Sequence, residues 1–204
     1  MVSAGDTCHA LVMSGGGSNG AWEAGVLWGL VHYGNPDEYK WDVVSGVSAG
    51  SINSAAMGVW APGDEVKGTE WLVDTWGNLE TGHIYSKYPF GILPALFNMP
   101  SLYDTRPGRE TLQKILAAYP DGFKRKVAVS AVDANTGEKV TMTDEDVDFK
   151  DFHIAVLGSA SVPGAFPPTH LKYTDKDGKA QDHLFMDGMT AYNTDVQASI
   201  DRCR

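Results

Sequence analysis

A short apolar run, a glycine-rich turn and a helical apolar pattern follow one another twice near the start of the chain. This doubled unit constrains the fold more than any other feature. His9 to Met13 reads as a buried strand that stops at Gly15, Gly16 and Gly17. Ala21, Ala24, Val26, Leu27, Leu30 and Val31 then recur at helical spacing, up to stop signals at Gly34, Asn35 and Pro36. Trp41 to Val44 is the second β-prone run. It leads through Gly46-Val47-Ser48-Ala49-Gly50 into a second helical pattern of Ile52, Ala55, Ala56 and Val59. Strand, helix, strand, helix is the signature of parallel strands with helices packed on their faces, so the chain is expected to be α/β.

With 204 residues and 43% hydrophobic content, the chain supports one compact domain over 1–204 and one substantial core. Residues 61–125 interrupt the alternation and read as an inserted helical and loop region. Lys126 to Ala131 and Lys139 to Met142 flank the turn residues Asp133 to Gly137, as in a hairpin. Phe152 to Ser161 reads as a helix ended by Pro163. After a polar loop at Asp175 to Asp182, the run His183 to Met186 reads as a strand that delivers Asp187-Gly188 at its tip.

A formal charge of −10 disfavours electrostatic capture by nucleic acid or by a strongly anionic membrane. No apolar run reaches the roughly 18 to 20 residues that cross a bilayer, and the N-terminus has no basic-then-apolar leader pattern. The chain as given reads as soluble, in the cytoplasm or peripheral at membranes rather than secreted. Cys8 and Cys203, the two cysteines, cannot make a disulfide scaffold or a cysteine-based zinc site. Two free thiols is the favoured reading, and a bridge between the chain ends is the alternative.

Ser48 is a candidate nucleophile. A hydroxyl on a sharp strand-to-helix turn stands clear of the backbone beside a helix N-terminus, and Gly46 and Gly50 make such a turn sterically feasible. The pentapeptide alone also suits an ordinary loop. The turn Gly15-Gly16-Gly17-Ser18-Asn19-Gly20 leaves several amides free to converge on an anion. It fits the dinucleotide pattern G-x-G-x-x-G, but the second strand ends in the serine turn rather than in the acidic residue that would hold a ribose. An oxyanion is therefore the better-supported ligand, with close helix–sheet packing as the purely structural alternative. No histidine follows Asp187, so the usual order of serine, acid and histidine fails, and Asp187 becomes the candidate base. His83, His153, His170 and His183 read as surface or packing residues.

Taken together, Gly15 to Gly20, Gly46 to Gly50 and Asp187-Gly188 resemble the patatin-like phospholipases in identity, order and spacing. Ala160-Ser161-Val162-Pro163-Gly164-Ala165-Phe166-Pro167-Pro168 resembles the family segment that precedes the aspartate. The resemblance implies a three-layer α/β/α fold with a mainly parallel central sheet and a Ser48–Asp187 dyad. It also implies an oxyanion hole from the amides of Gly15, Gly16, Gly17 and Ser18, with Gly20, Gly46, Gly50 and Gly188 supporting the turns. The expected partner is a lipid ester substrate, with contact at a membrane surface left open, and neither a metal nor a cofactor is expected. Two positions depart from the family pattern: Asn19 stands where Lys or Arg is common, and Met189 where Gly or Ala is usual. The helical pattern Val196, Ile200, Cys203 runs to Arg204 without a cap, as in a chain cut short at its C-terminus.

Phe90, Ile92, Leu93, Leu96, Phe97 and Met99 could serve the core or line an acyl groove, and the core is the favoured reading. A catalytically inactive lipid-binding protein of the same fold is the main alternative to an acyl hydrolase, and a nucleotide-binding module is the weaker one.

Overall fold

The computed structural model describes residues 7–35, 38–88 and 101–204. Strand β1 (Ala10–Met13) leads through the glycine turn into helix α1 (Gly20–Tyr33), and β2 (Val43–Val47) leads through Ser48 into α2 (Ala49–Gly58). The insert is helical where it is described, with α3 (Glu65–Gly77) and α4 (Arg106–Ala117) on either side of the small pair β3 (Ser86–Lys87) and β4 (Tyr103–Asp104). Then come β5 (Lys126–Asp133), β6 (Lys139–Thr143), α5 (Phe152–Ser159), β7 (Thr169–Thr174), β8 (Ala180–Asp187) and α6 (Val196–Cys203). The apolar run from Phe90 to Met99 lies outside the described residues, as does Pro36.

The sheet runs in the order β1-β2-β5-β8-β7, with β6 also paired to β5. β1, β2 and β5 are parallel, whereas β6 and β8 are antiparallel to β5 and β7 is antiparallel to β8. β2 is buried throughout, as a central strand covered on both faces must be. Its alternate residues meet different helices: the Ser45 hydroxyl lies 2.7 Å from that of Ser199 on α6, while Gly46 faces Gly50 and Ser54 on α2. Helices therefore cover both sides, giving the three layers.

Small side chains let α2 sit inside the molecule. Nine of its ten residues are buried, and its serines satisfy themselves locally, Ser54 Oγ donating to Gly50 O at 2.7 Å. A bulkier helix could not come so close to β2. Met57 on α2 and Leu72, Phe152 and Phe185 around it are almost fully buried, and each such side chain contributes about 2 kcal/mol.

Two expectations need correction. The thiols are not free: Cys8 and Cys203 form a disulfide that joins the entry to β1 with the end of α6, across 195 residues of sequence. The polar stretch before the last strand is shorter than expected, because Ala180 already opens β8. Its hairpin partner β7 was not anticipated. In β7 the buried Thr169 and Leu171 alternate with the exposed His170 and Lys172, a period of two that follows directly on Pro167-Pro168.

Candidate active site

Register brings the two halves of the site together. β6 occupies one edge of β5 from Ala128 to Val132, so β2 and β8 must share the other edge. β2 pairs with Lys126 to Ser130 and ends at Val47, and β8 pairs with Ala131 to Asp133 and ends at Asp187, which stands opposite Ala131. The two strands run towards each other and meet tip to tip. Ser48 follows one tip and Asp187 is the other.

Ser48 Oγ donates to Asp187 Oδ2 at 2.6 Å, with Ser48 only 4% exposed and Asp187 fully buried. Among the described residues Ser48 alone has a positive φ without being glycine, at φ 54° and ψ −122°. A non-glycine residue held in that region is strained, and strain of this kind marks functional turns. What holds it is a chain of bonds from the sheet: Ser48 N–H donates to Ser159 Oγ at 2.9 Å, and Ser159 Oγ donates to Ser130 O at 2.7 Å. Gly46 and Gly50 permit the turn sterically. A Cβ on Gly46 would strike the Gly50 carbonyl, and one on Gly50 would strike the backbone at the end of β1.

Asp187 is fixed by its backbone N–H to Ser161 O at 2.9 Å, and its Oδ1 accepts from Met189 N–H at 2.9 Å. Burial pushes its carboxyl above the ordinary aspartate value of 3.8, against the lowering effect of the bonds from Ser48 and Met189. A carboxylate so placed holds a proton more readily than an exposed one, as a general base should. Gly188 has no room for a side chain, since a Cβ there would lie 2.7 Å from Val47 and 2.8 Å from Ser130 O. Met189 points outward at 53% exposure and leaves the aspartate uncrowded.

The glycine turn lies beside the serine, and a Cβ on Gly15 would come within 3.0 Å of Ser48 Cβ. Gly17, at φ 56°, starts a short 3-10 turn through Ser18 and Asn19 that passes straight into α1 at Gly20. Among the described residues no acceptor is paired with the amides of Gly16, Gly17 and Ser18. Gly15 departs from the expectation: its N–H is taken by Asn193 O at 3.0 Å, and Asn193 Nδ2 donates back to Gly15 O at 2.9 Å. Asn193 and Ser159 are support that sequence reading does not find, because each acts across a long stretch of chain and carries no local motif, whereas Ser161 lies in the segment quoted before the aspartate.

The histidines stand elsewhere. His183 lies 2.6 Å from Asp133, His170 lies 2.6 Å from Asp182, His153 bonds to Lys150 O, and His83 Nδ1 accepts from Glu80 N–H. None is bonded to Ser48 or Asp187 among the described residues. No cluster of three or more potential metal-ligating side chains occurs there either. One turn along α2 from Ser48, Ile52 opens onto an apolar cavity of about 90 Å³, walled by Trp76 and Leu79 near α3, Leu112 of α4 and Val156 of α5.

Fold and site together define an α/β protein in which Ser48, Asp187 and the glycine turn gather at the carboxyl ends of the strands. The chain belongs to the patatin-like phospholipase family, whose model matches residues 11–200. No curated protein matches it. Among solved structures it is similar to VipD from Legionella pneumophila, at 14% identity and a TM-score of 0.49. The match covers 91% of this chain and 46% of that one, so the chain spans about half the length of its neighbour.

Proposed function

We propose that the chain hydrolyses carboxylic esters of phospholipids or related glycerolipids through Ser48 and Asp187. The observation that carries this reading is the 2.6 Å bond between a strained, buried serine hydroxyl and a buried carboxylate that has no histidine between them. Ser48 Oγ attacks the ester carbonyl carbon as Asp187 takes its proton. The oxyanion that forms is stabilised by the amides of Gly16, Gly17 and Ser18, each well-placed donor being worth about 3 to 4 kcal/mol. Collapse expels the alcohol, which takes the proton from Asp187, and leaves an acyl-enzyme on Ser48. Water then attacks that ester, Asp187 accepts its proton, and return of the proton to Ser48 Oγ releases the fatty acid.

The apolar cavity beside Ile52 supports a fatty acyl chain as the group transferred, since nearly everything facing it is hydrocarbon or aromatic. On the outer side of α1, Trp22, Val26, Leu30 and Tyr33 form an exposed apolar stripe that begins at the oxyanion turn. It suits contact with a zwitterionic or neutral lipid surface, because the net charge of −10 repels an anionic one. The Cys8–Cys203 bridge favours work in an oxidising compartment over the cytoplasmic setting expected from the sequence.

Hydrolysis of a short-chain chromogenic ester by the purified protein, compared with Ser48→Ala, tests the reading. Loss of turnover together with loss of fluorophosphonate labelling is expected in the variant. Equal activity in both would overturn it, and a wild-type Ser48 that neither turns over ester nor takes the probe would favour an inactive lipid-binding protein.

A further inference from the structure

Glu23, Asn53 and Trp76 have no part in the chemistry above, yet they form a bonded chain around the oxyanion turn. Glu23, in the first turn of α1, accepts the Ser14 N–H on Oε1 at 3.1 Å and the Asn53 side-chain amide on Oε2 at 2.8 Å. Asn53, fully buried on the same helix that Ser48 begins, also donates to Gly20 O at 3.0 Å and accepts from Trp76 Nε1 at 2.7 Å. The glycine turn is therefore gripped at both ends, at Ser14 where it leaves β1 and at Gly20 where it enters α1. The Trp76 ring rests against Gly20, where a Cβ would lie 2.6 Å from it, and the same ring walls the apolar cavity.

Ordinary packing does not require this arrangement. A buried polar network is costly unless every member is satisfied, and here both carboxylate oxygens of Glu23 and both ends of the Asn53 amide are used. Burial pushes the Glu23 carboxyl above its ordinary 4.5, against the bonds from Asn53 and Ser14. The molecule accepts a desolvated carboxylate at the point where the donor turn must hold its place relative to α2.

We infer that Glu23 and Asn53 are positioning residues that set the amides of the Gly16–Ser18 turn against Ser48, with Trp76 linking that setting to the wall of the acyl cavity. The inference rests on the proposed esterase reading. Donors held in advance of reaction act on the transition state and leave ground-state binding nearly alone. Their loss therefore falls on kcat.

The test is steady-state hydrolysis of a short-chain chromogenic ester by wild type, Glu23→Ala, Asn53→Ala, the double variant and Trp76→Phe. Rates are expressed per site by end-point fluorophosphonate titration, and folding is checked by near-UV circular dichroism. Glu23→Ala and Asn53→Ala are expected to lower kcat about 10- to 100-fold, within the range for a misplaced oxyanion donor, with KM changed less than about twofold. The double variant should be little worse than Asn53→Ala alone, since groups acting as a unit are not additive. Trp76→Phe, which keeps an aromatic side chain but loses the N–H and the second ring, should fall several-fold through loss of the bond to Asn53 and part of the packing on Gly20. Unchanged kcat per labelled site, a change confined to KM, or independent losses that multiply would overturn the inference. Should Asn53→Ala fail to fold, Glu23→Ala at a partly buried position and Trp76→Phe decide by the same criteria. An inactive wild type would sink the esterase reading and this inference with it, whereas an active wild type matched by Glu23→Ala sinks the inference alone.

Discussion

Two buried carboxylates stand at opposite ends of the parallel strands, and their surroundings are opposite in kind. At the amino ends Glu65, 4% exposed, meets the fully buried Arg125 guanidinium at 3.0 Å and accepts from Gly63 N–H at 2.7 Å. Arg125 also donates to the carbonyls of Trp60, Trp41 and Ala61. At the carboxyl ends Asp187 has one hydroxyl and one amide, and no salt-bridge partner among the described residues. The Arg125 guanidinium ties Glu65 into a buried salt bridge, while Asp187 is desolvated with no cation beside it, which raises its carboxyl above the ordinary value. One end of the sheet is built to stay as it is, and the other keeps a group in an uncomfortable state that chemistry can use.

The sharpest way to break this contrast is Asp187→Asn. The rate should fall by about three to four orders of magnitude, near the upper range for a lost general base. Stability should rise or hold at neutral pH. The sign follows from linkage: a folded pKa above the unfolded one means that ionising Asp187 takes stability from the fold as pH rises, and the amide removes that cost. Ester hydrolysis and thermal melting on the same preparation check both halves, and a strongly destabilised variant would break the contrast.

The mirror experiment is Glu65→Ala, which leaves Arg125 buried without its carboxylate. Denaturant unfolding should show a loss of about 3 to 5 kcal/mol, with the rate per folded molecule unchanged at the far end of the sheet. Replacing Cys8 and Cys203 by serine opens the staple at the same amino ends. For a loop this long the chain-entropy account gives a loss approaching about 5 kcal/mol, with about 2 to 4 typical of measured bridges. Unfolding with and without reductant measures it, and catalysis should again be spared.

The smallest expected effect is the position of the acid limb in the pH profile of kcat/KM. In the proposed mechanism Asp187 must be ionised to accept the proton, so the rate is expected to rise with pH as it deprotonates. Burial places that limb above the ordinary aspartate value of 3.8. A limb at or below that value would show that Asp187 is not desolvated in the free enzyme.

Much of the site was legible because its parts are local. A strand, a glycine-flanked serine and a helix are adjacent in sequence, and steric logic alone puts the Ser48 hydroxyl on a tight turn. The glycine turn was legible for the same reason, but only the fold shows that Asn193 O takes the Gly15 amide. The network of Glu23, Asn53 and Trp76 left no trace, because an Asn and a Trp at those positions are equally consistent with plain packing.

The sequence by itself determined the α/β alternation, the serine turn, the amide-rich loop and the strand that ends at Asp187. All of these follow from steric and hydrogen-bonding rules that act within a few residues. Only the tertiary structure decided that β8 runs back along the edge of β5 to meet β2 tip to tip, that Met189 turns away, and that Cys8 reaches Cys203. Those outcomes depend on strand register and packing between segments far apart in the chain, where the energy of each pairing is set by the partner that arrives there.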